Sequence, residues 1–226
     1  MINDLLKNLN LAFKDQKLLE QIFIHRSYLN EVKSYTVSNE RLEFLGDSVL
    51  SLIVSAELFK KRGKDNEGDL TNLRAYIVKT KSLAAAAEKL ELGKYLRLSK
   101  GEEIGGGRAN LQILANTYEA LLGAVFLDQG LAKVTEVVEK TLLPLFASEL
   151  KAGPPKDSKS TLQEMVQEKL RSSPRYETVK TMGPDHAKVF IVSVMVGGKE
   201  LGRGKGFSKQ EAEEMAAKEA LEKLTR

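Results

Sequence analysis

The chain has 226 residues, with 35 Lys and Arg against 31 Asp and Glu and a net charge of +4. That is enough chain for one large or two modest domains, and its mildly basic balance is compatible with a nucleic-acid partner. It contains no cysteine, which excludes disulfides and thiolate zinc sites, so any metal must be held by oxygen or by the two histidines. The start, Met1-Ile2-Asn3-Asp4, lacks a basic-then-apolar signal pattern, and no apolar run approaches the roughly 18 residues of a membrane helix. No membrane partner and a reducing, cytoplasmic setting are therefore expected.

Residues 4–32 read as helices, with Leu5, Leu6, Leu9, Leu18, Leu19, Ile22 and Phe23 at helical spacing. His25, beside this stripe, reads as a structural histidine. Ser38 or Asn39 can cap the next helix, which should run to about Phe59 and stop at Lys60-Lys61-Arg62-Gly63. This helix is apolar nearly all round (Leu42, Phe44, Leu45, Val49, Leu50, Leu52, Ile53, Val54), the mark of a buried helix. Yet it carries Glu40, Glu43 and Asp47 at i, i+3 and i+7, within a sector of roughly 60°. Carboxylates crowded on a buried patch repel one another and lose hydration, which a divalent cation such as Mg²⁺ would relieve. An exposed acidic stripe with salt bridges is the alternative that spacing alone leaves open.

Glu67 opens another helix through Val78, where its carboxylate also suits the helix dipole, and an alanine-rich helix follows from Ser82 to Leu92. Gly105-Gly106-Gly107-Arg108 lacks the lysine and hydroxyl residue of a P-loop and reads as a flexible connection. Residues 110–127 form a second key helix, on which Asn116 and Glu119 stand one turn apart and Ala115, Ala120, Gly123 and Ala124 allow close packing. A last helix from about Val134 to Leu150 closes an all-α first domain, residues 1–150.

Lys151 to Asp157, with one glycine and two prolines, reads as a linker. After it the period changes. Ser160-Thr161-Leu162-Gln163 fits a capping box and starts a helix to about Arg171. Strands are predicted at Tyr176–Met182, Val189–Val196 and Glu200–Phe207, with Gly197-Gly198 as a hairpin turn. Ser208-Lys209-Gln210-Glu211 is a second capping box. Its helix would place Ala212, Met215, Ala216, Ala220, Leu221 and Leu224 on one side. Residues 158–226 thus form a small α+β unit of order α-β-β-β-α. They hold 13 Lys and Arg against 10 Asp and Glu, net +3, whereas the rest holds 22 against 21, net +1.

Glu40-Arg41-Leu42-Glu43-Phe44-Leu45-Gly46-Asp47-Ser48-Val49-Leu50 resembles the signature of the ribonuclease III family almost letter for letter, and His25-Arg26-Ser27 and Glu67-Gly68-Asp69-Leu70 extend the resemblance. The tail is similar to a double-stranded-RNA-binding domain through Gly183-Pro184-Asp185-His186, Gly204-Lys205-Gly206-Phe207-Ser208-Lys209 and Ala216-Ala217-Lys218-Glu219-Ala220-Leu221. The resemblance implies an all-α endonuclease domain followed by that domain. It implies a homodimer that cleaves double-stranded RNA by metal-dependent hydrolysis to 5′-phosphate products with short 3′ overhangs, in rRNA and mRNA processing. It implies Asp47 and Glu119 as catalytic, and Glu43, Asp47, Asn116 and Glu119 as ligands of Mg²⁺, with Mn²⁺ able to substitute. Glu40 and Glu67 are implied as accessory acids and Phe44 as a dimer contact, although Phe44 also reads as ordinary core.

A-form RNA exposes 2′-hydroxyls and phosphates over about 16 base pairs to such a domain. Gln163 and Glu164 are candidates for 2′-hydroxyls and His186 for the next minor groove, while Ser208 and Lys209 at a helix N-terminus suit phosphates, with Arg203 and Lys205 just before. Two departures stand out. Lys209-Gln210-Glu211 is less basic than the family's usual pattern there, and Asn116 stands where the family usually has aspartate. The second leaves open a non-catalytic, dimeric RNA-binding protein or a ribosome-associated structural protein.

Overall fold

The computed structural model describes residues 2–32, 34–153, 158–184 and 188–224, and the chain divides into two compact units, 1–154 and 155–226. The first unit contains α1 (Ile2–Leu9), α2 (Gln16–Gln21), α3 (Glu40–Lys61), α4 (Glu67–Val78), α5 (Thr80–Lys89), α6 (Lys100–Ile104), α7 (Leu111–Thr141) and α8 (Glu149–Ala152).

Two helices, α3 and α7, organise this unit by crossing in backbone contact. A Cβ added at Gly46 of α3 would lie 1.8 Å from the Glu119 carbonyl oxygen, and one added at Gly123 of α7 would lie 2.2 Å from the Leu42 carbonyl oxygen. No side chain fits at either point, so the two helices approach as closely as their backbones allow. Around the crossing, Leu42, Leu50 and Val54 of α3 join Tyr118, Leu121, Leu122 and Val125 of α7, with Leu73, Ile77, Leu83 and Ala84 completing the core.

The structure corrects several expectations. Helix α3 is not buried all round: Phe44, Leu52 and Phe59 are 78%, 56% and 77% exposed, because neighbouring helices cover only the side bearing Leu42, Val49, Leu50, Ile53, Val54 and Leu58. Asn39 does not cap it. Its side-chain NH₂ donates to the Ile22 carbonyl and its backbone N–H to Ile24, while Ser38 Oγ accepts from the Glu40 N–H at 3.4 Å. The helix extends to Lys61, past Phe59. The alanine-rich helix starts at Thr80 and ends at Lys89.

Residues 101–107 are an ordered connection. They hold most of α6 and a buried Gly107, and the neighbouring Arg108 guanidinium donates to the carbonyls of Gly93 and Leu96. Helix α7 passes through a break at Gly130 (φ 81°) and ends at Thr141, and a short 3₁₀ turn at Leu143–Phe146 and α8 replace the expected helix to Leu150.

The second unit contains α9 (Ser158–Leu170), β1 (Arg175–Met182), β2 (Val189–Val196), β3 (Lys199–Gly206) and α10 (Lys209–Leu224). The strands form an antiparallel sheet in the order β1-β2-β3. Gly197 and Gly198 both have positive φ, 57° and 80°, as a two-residue hairpin requires. Leu162 and Val166 of α9 pack with Val194, Val196, Ala216, Ala217 and Ala220, which puts both helices on one face.

The capping expectations need revision. Helix α9 starts at Ser158, so Ser160 lies in its first turn, and the Ser158 N–H is taken by Glu214. At α10, Ser208 Oγ accepts from the Glu211 N–H at 3.1 Å, but the Glu211 carboxylate returns to the Phe207 N–H at 2.7 Å, one residue before the expected cap. Met215 is exposed rather than part of the apolar side.

Strand β3 meets α10 without side chains. A Cβ at Gly204 would lie 2.0 Å from the Ala212 carbonyl oxygen, and one at Gly202 would lie 2.4 Å from that of Ala216. Gly204→Ala should therefore destabilise the second unit by about 3 kcal/mol or more. Gly101→Ala, where nothing lies within 4 Å, should stay within about 1 kcal/mol of the parent. Urea unfolding of the full chain checks both, and an unchanged midpoint for Gly204→Ala would contradict the packing.

Candidate active site

Helix α3 presents Glu40, Glu43, Phe44 and Asp47 to one cavity, and α7 presents Ile113, Asn116 and Glu119 to the same space. The glycine crossing sets this arrangement, because Gly46 packs on the backbone of Glu119 itself. The α7 turns are held at their start by Asn110, whose side chain accepts from the N–H groups of Gln112 and Ile113. His25, Arg26 and Asn39 close the third side of the cavity, which has a volume of about 480 Å³. The two bonds from Asn39 to Ile22 and Ile24 tie that segment to the start of α3.

The electrostatics are those of an acidic cluster in which Glu43 and Glu119 are half-buried and Glu40 and Asp47 are exposed. Burial, then the charges of Asp47 and Glu43, push Glu119 up to about 8. Burial and the Glu40 charge also raise Glu43, opposed by a hydrogen bond from Asn116, with Asp47 raising it further. Arg26 is the only Lys or Arg among the lining residues, and its guanidinium lies 3.6 Å from Glu40 across an exposed gap. Burial lowers His25, with Glu102 and Glu40 opposing and Arg26 reinforcing the change. Its Nδ1 accepts from the Ser27 N–H and bonds the Ser27 hydroxyl, capping a 3₁₀ turn.

Thus Glu40, Glu43, Asp47, Asn116 and Glu119 come together, with Phe44 at the edge. Glu67 does not line the cavity, and its carboxylate accepts from Thr71 on its own helix. Among the described residues, no group of three or more His, Asp or Glu side chains stands set to hold a metal ion. The carboxylates share a cavity without converging on one point, as mutual repulsion favours. The donor chemistry nevertheless fits a hard divalent cation: carboxylate oxygens in excess of positive charge, one of them pushed up by burial and by the charges of its neighbours. Sequence reasoning missed Arg26 as a wall of the cavity. It also missed Gln112, whose NH₂ donates to Asn116 Oδ1 at 2.7 Å, although the i, i+4 spacing on one helix was a usable signal.

The second unit separates its candidates. Gln163 and Glu164 are exposed on α9, and Ser208 lies beside Lys159, Ser160, Gln210, Glu211 and Glu214, where α9 and α10 begin. Lys209 is exposed in the first turn of α10. Arg203 and Lys205 point the other way. The glycines of β3 face α10, so strand alternation sends these two side chains to the opposite face, where Arg203 is engaged by Glu200 and Ser193. His186 lies outside the described residues.

The raised Glu119 has a consequence for stability. An acid whose folded value lies near 8, against 4.5 unperturbed, adds no penalty below pH 4.5 and a growing one as pH rises toward 8. Without metal, Glu119→Gln should equal the parent in stability near pH 5 and exceed it by about 1–2 kcal/mol near pH 8.5, the figure being reduced for partial solvent screening. Urea melts in EDTA at the two pH values check this, and a gap that does not widen with pH would contradict it.

The matches to known proteins cover both units. The family model described as Ribonuclease-III-like matches residues 15–145, and that of the double-stranded RNA binding motif matches residues 158–224. The chain is 48% identical over 224 residues to "Ribonuclease 3" of Caldanaerobacter subterraneus subsp. tengcongensis, covering 99% of this chain and 98% of the relative. It is 44% identical over 223 residues to "Ribonuclease 3" of Borreliella afzelii, covering 99% and 91%. Among solved structures, the nuclease domain of ribonuclease III from Campylobacter jejuni superposes with a TM-score of 0.60 at 41% identity, covering 65% of this chain and 99% of that one. With one family model over more than half its length and relatives this similar from end to end, the chain belongs to the ribonuclease III family.

Proposed function

We propose that the cavity between α3 and α7 is the catalytic centre of an endoribonuclease that cleaves double-stranded RNA. The observation that carries this is the burial of Glu119 beside Glu43 and Asp47 in a family member whose second unit matches the double-stranded RNA binding motif. We assign residues 1–150 to the endonuclease domain and 158–226 to RNA binding, joined by 151–157. Glu43, Asp47 and Glu119 would hold Mg²⁺, with Mn²⁺ able to substitute. The bound ion would supply an activated water and charge stabilisation on the phosphodiester.

The chain's own residues do the rest. The Asn116 amide beside Glu43 opposes the rise that burial and Glu40 impose on its carboxyl. Arg26 offers the cavity a cation whose loose, exposed pairing with Glu40 leaves it available to a phosphate. Glu40 acts as an accessory acid through that pairing, whereas Glu67, outside the cavity, has no comparable support. Rupture of the bond on its 3′-oxygen side leaves a 5′-phosphate, and two such sites facing opposite strands leave short 3′ overhangs. RNA is held by Gln163 and Glu164 on α9 and by Ser208 and Lys209 at the start of α10, where the helix dipole favours phosphate. Arg203 and Lys205 contribute charge from the other face of the sheet.

A homodimer supplies the second site. Phe44, Val37 and Leu127 are exposed around one groove beside α3. One solved Campylobacter jejuni structure is described as concerning a region involved in dimer formation of that nuclease domain. Among the described residues, no helix is long and apolar enough to cross a membrane, and we assign the protein to the cytoplasm.

Glu119→Gln should lower cleavage of long double-stranded RNA in Mg²⁺ by at least about 100-fold, while RNA affinity stays within about threefold. Gel cleavage and filter binding read the two quantities, and parental cleavage by the variant would remove Glu119 from the centre. Phe44→Asp should weaken self-association by at least about 100-fold. Light scattering at micromolar concentration checks it, and an unchanged dimer would exclude Phe44 from the interface.

A further inference from the structure

The positive charge of the second unit lies on its sheet. The three strands carry five Lys and Arg against two Glu, net +3, whereas α9 and α10 carry five Lys against seven Glu, net −2. A polyanion is therefore drawn to the strands more than to the helices. Both helices pack on one face of the sheet, and among the described residues no element of this unit covers the other face.

The strand register builds that open face in rows. Lys180 of β1, Ile191 of β2 and Lys205 of β3 stand side by side, on strands about 4.8 Å apart. The neighbouring row is Glu177, Ser193 and Arg203. There the Ser193 hydroxyl and the Arg203 guanidinium both donate to one Glu200 carboxylate oxygen, at 2.6 and 2.9 Å, so Arg203 is engaged. Among the described residues, Lys180 and Lys205 have no such ion-pair partner. Beyond the lysine row, Met182 pairs with Val189 across β1 and β2. Phe207, the next outward step after Lys205, is 75% exposed, and Val179 adds a further exposed apolar side chain at the bulge of β1.

Cations beside exposed apolar side chains and a phenyl ring suit one class of polyanion. Single-stranded RNA presents phosphates together with unstacked bases, whose faces pack on aromatic side chains. An A-form duplex keeps its bases stacked inside and would leave the ring unused. We infer that the outer face of this sheet is a second RNA surface, which holds a single-stranded segment against Lys180, Lys205 and Phe207. It lies opposite the face on which α9 and α10 pack, so a duplex and a single strand can be held together. The inference goes beyond cleavage of double-stranded RNA and does not depend on the acidic cavity.

The test uses the full chain in EDTA and a fluorescent oligouridine of about 12 nucleotides, followed by anisotropy. Lys180→Gln combined with Lys205→Gln should weaken oligouridine binding at least about fivefold. It should also reduce the slope of log affinity against log salt by about 1.4, for two phosphate contacts at roughly 0.7 each. Phe207→Ser should weaken binding at least about fivefold with the slope unchanged. Lys218→Gln, which removes an exposed cation from α10 instead, should stay within about twofold. All three variants should keep duplex affinity within about threefold and Tm within about 2 °C, because the altered side chains are exposed. Oligouridine should also remain bound when the chain is saturated with duplex.

Complete displacement of oligouridine by the duplex would place both on one surface and overturn the inference. Parental oligouridine affinity in the lysine variant and in Phe207→Ser would also overturn it, and would leave the face to an acidic protein surface. An equal loss in Lys218→Gln would show that net charge alone governs the affinity, which removes the sheet from the account.

Discussion

The first unit depends on one steric fact: α3 and α7 touch through bare backbone at Gly46 and Gly123. Helices separated by ordinary side chains stand about 8–10 Å apart, and groups projecting from their flanks then have water between them. Removing both side chains at the crossing lets the flanking residues face one another across a narrow gap. Those residues are Glu43 and Asp47 on one helix and Asn116 and Glu119 on the other. The same closeness half-buries Glu119 and Glu43 beside the exposed carboxylates of Glu40 and Asp47. The acidic cavity is thus a consequence of the packing, and the core leucines and valines around it stabilise an arrangement that its charges oppose.

The second unit uses the same device in another setting. Gly202, Gly204 and Gly206 on alternate positions of β3 meet Ala212, Ala216 and Ala220 on successive turns of α10. A strand period of two and a helix spacing of four coincide along the line of contact. The result is a thin, rigid module whose two helices share one face of the sheet, leaving the polar residues of α9 and the start of α10 exposed. Its small core of alanine and valine suffices because the backbones come so close.

Much of this was legible in the sequence, and the failures have physical causes. Strand β2 was read to the residue, because a Val-rich apolar run broken only by Ser193 ends at paired glycines. The start of α9 near Ser160 was placed too late, and Asn39 occupies the cap position of α3 without a side-chain cap bond, because capping depends on which backbone N–H remains free. Tertiary contacts decided that: Glu214 took the Ser158 N–H, and Asn39 turned to Ile22. Helix α3 was read as buried all round because composition cannot tell an apolar face that meets the core from one left open, as at Phe44 and Phe59. In the site, the spacing of Glu40, Glu43 and Asp47 told which acids share a helix face. It could not tell that Glu67, an acid of similar appearance, would stand elsewhere, because that depends on how α4 leaves α3. The hydrogen bond from Gln112 to Asn116 went unread, although their i, i+4 spacing on one helix was a usable signal.

The glycine face of β3 also governs what changes in length the strand can accept. Insertion or deletion of one residue would exchange the two faces, driving Arg203 or Lys205 against the carbonyls of α10 and turning the glycines to the open side. Two residues would restore the alternation but shift it by one step along the helix. Strand β3 therefore behaves as a ruler with fixed divisions. Point changes at its outward positions can vary its charge freely, while its length and phase are set by α10.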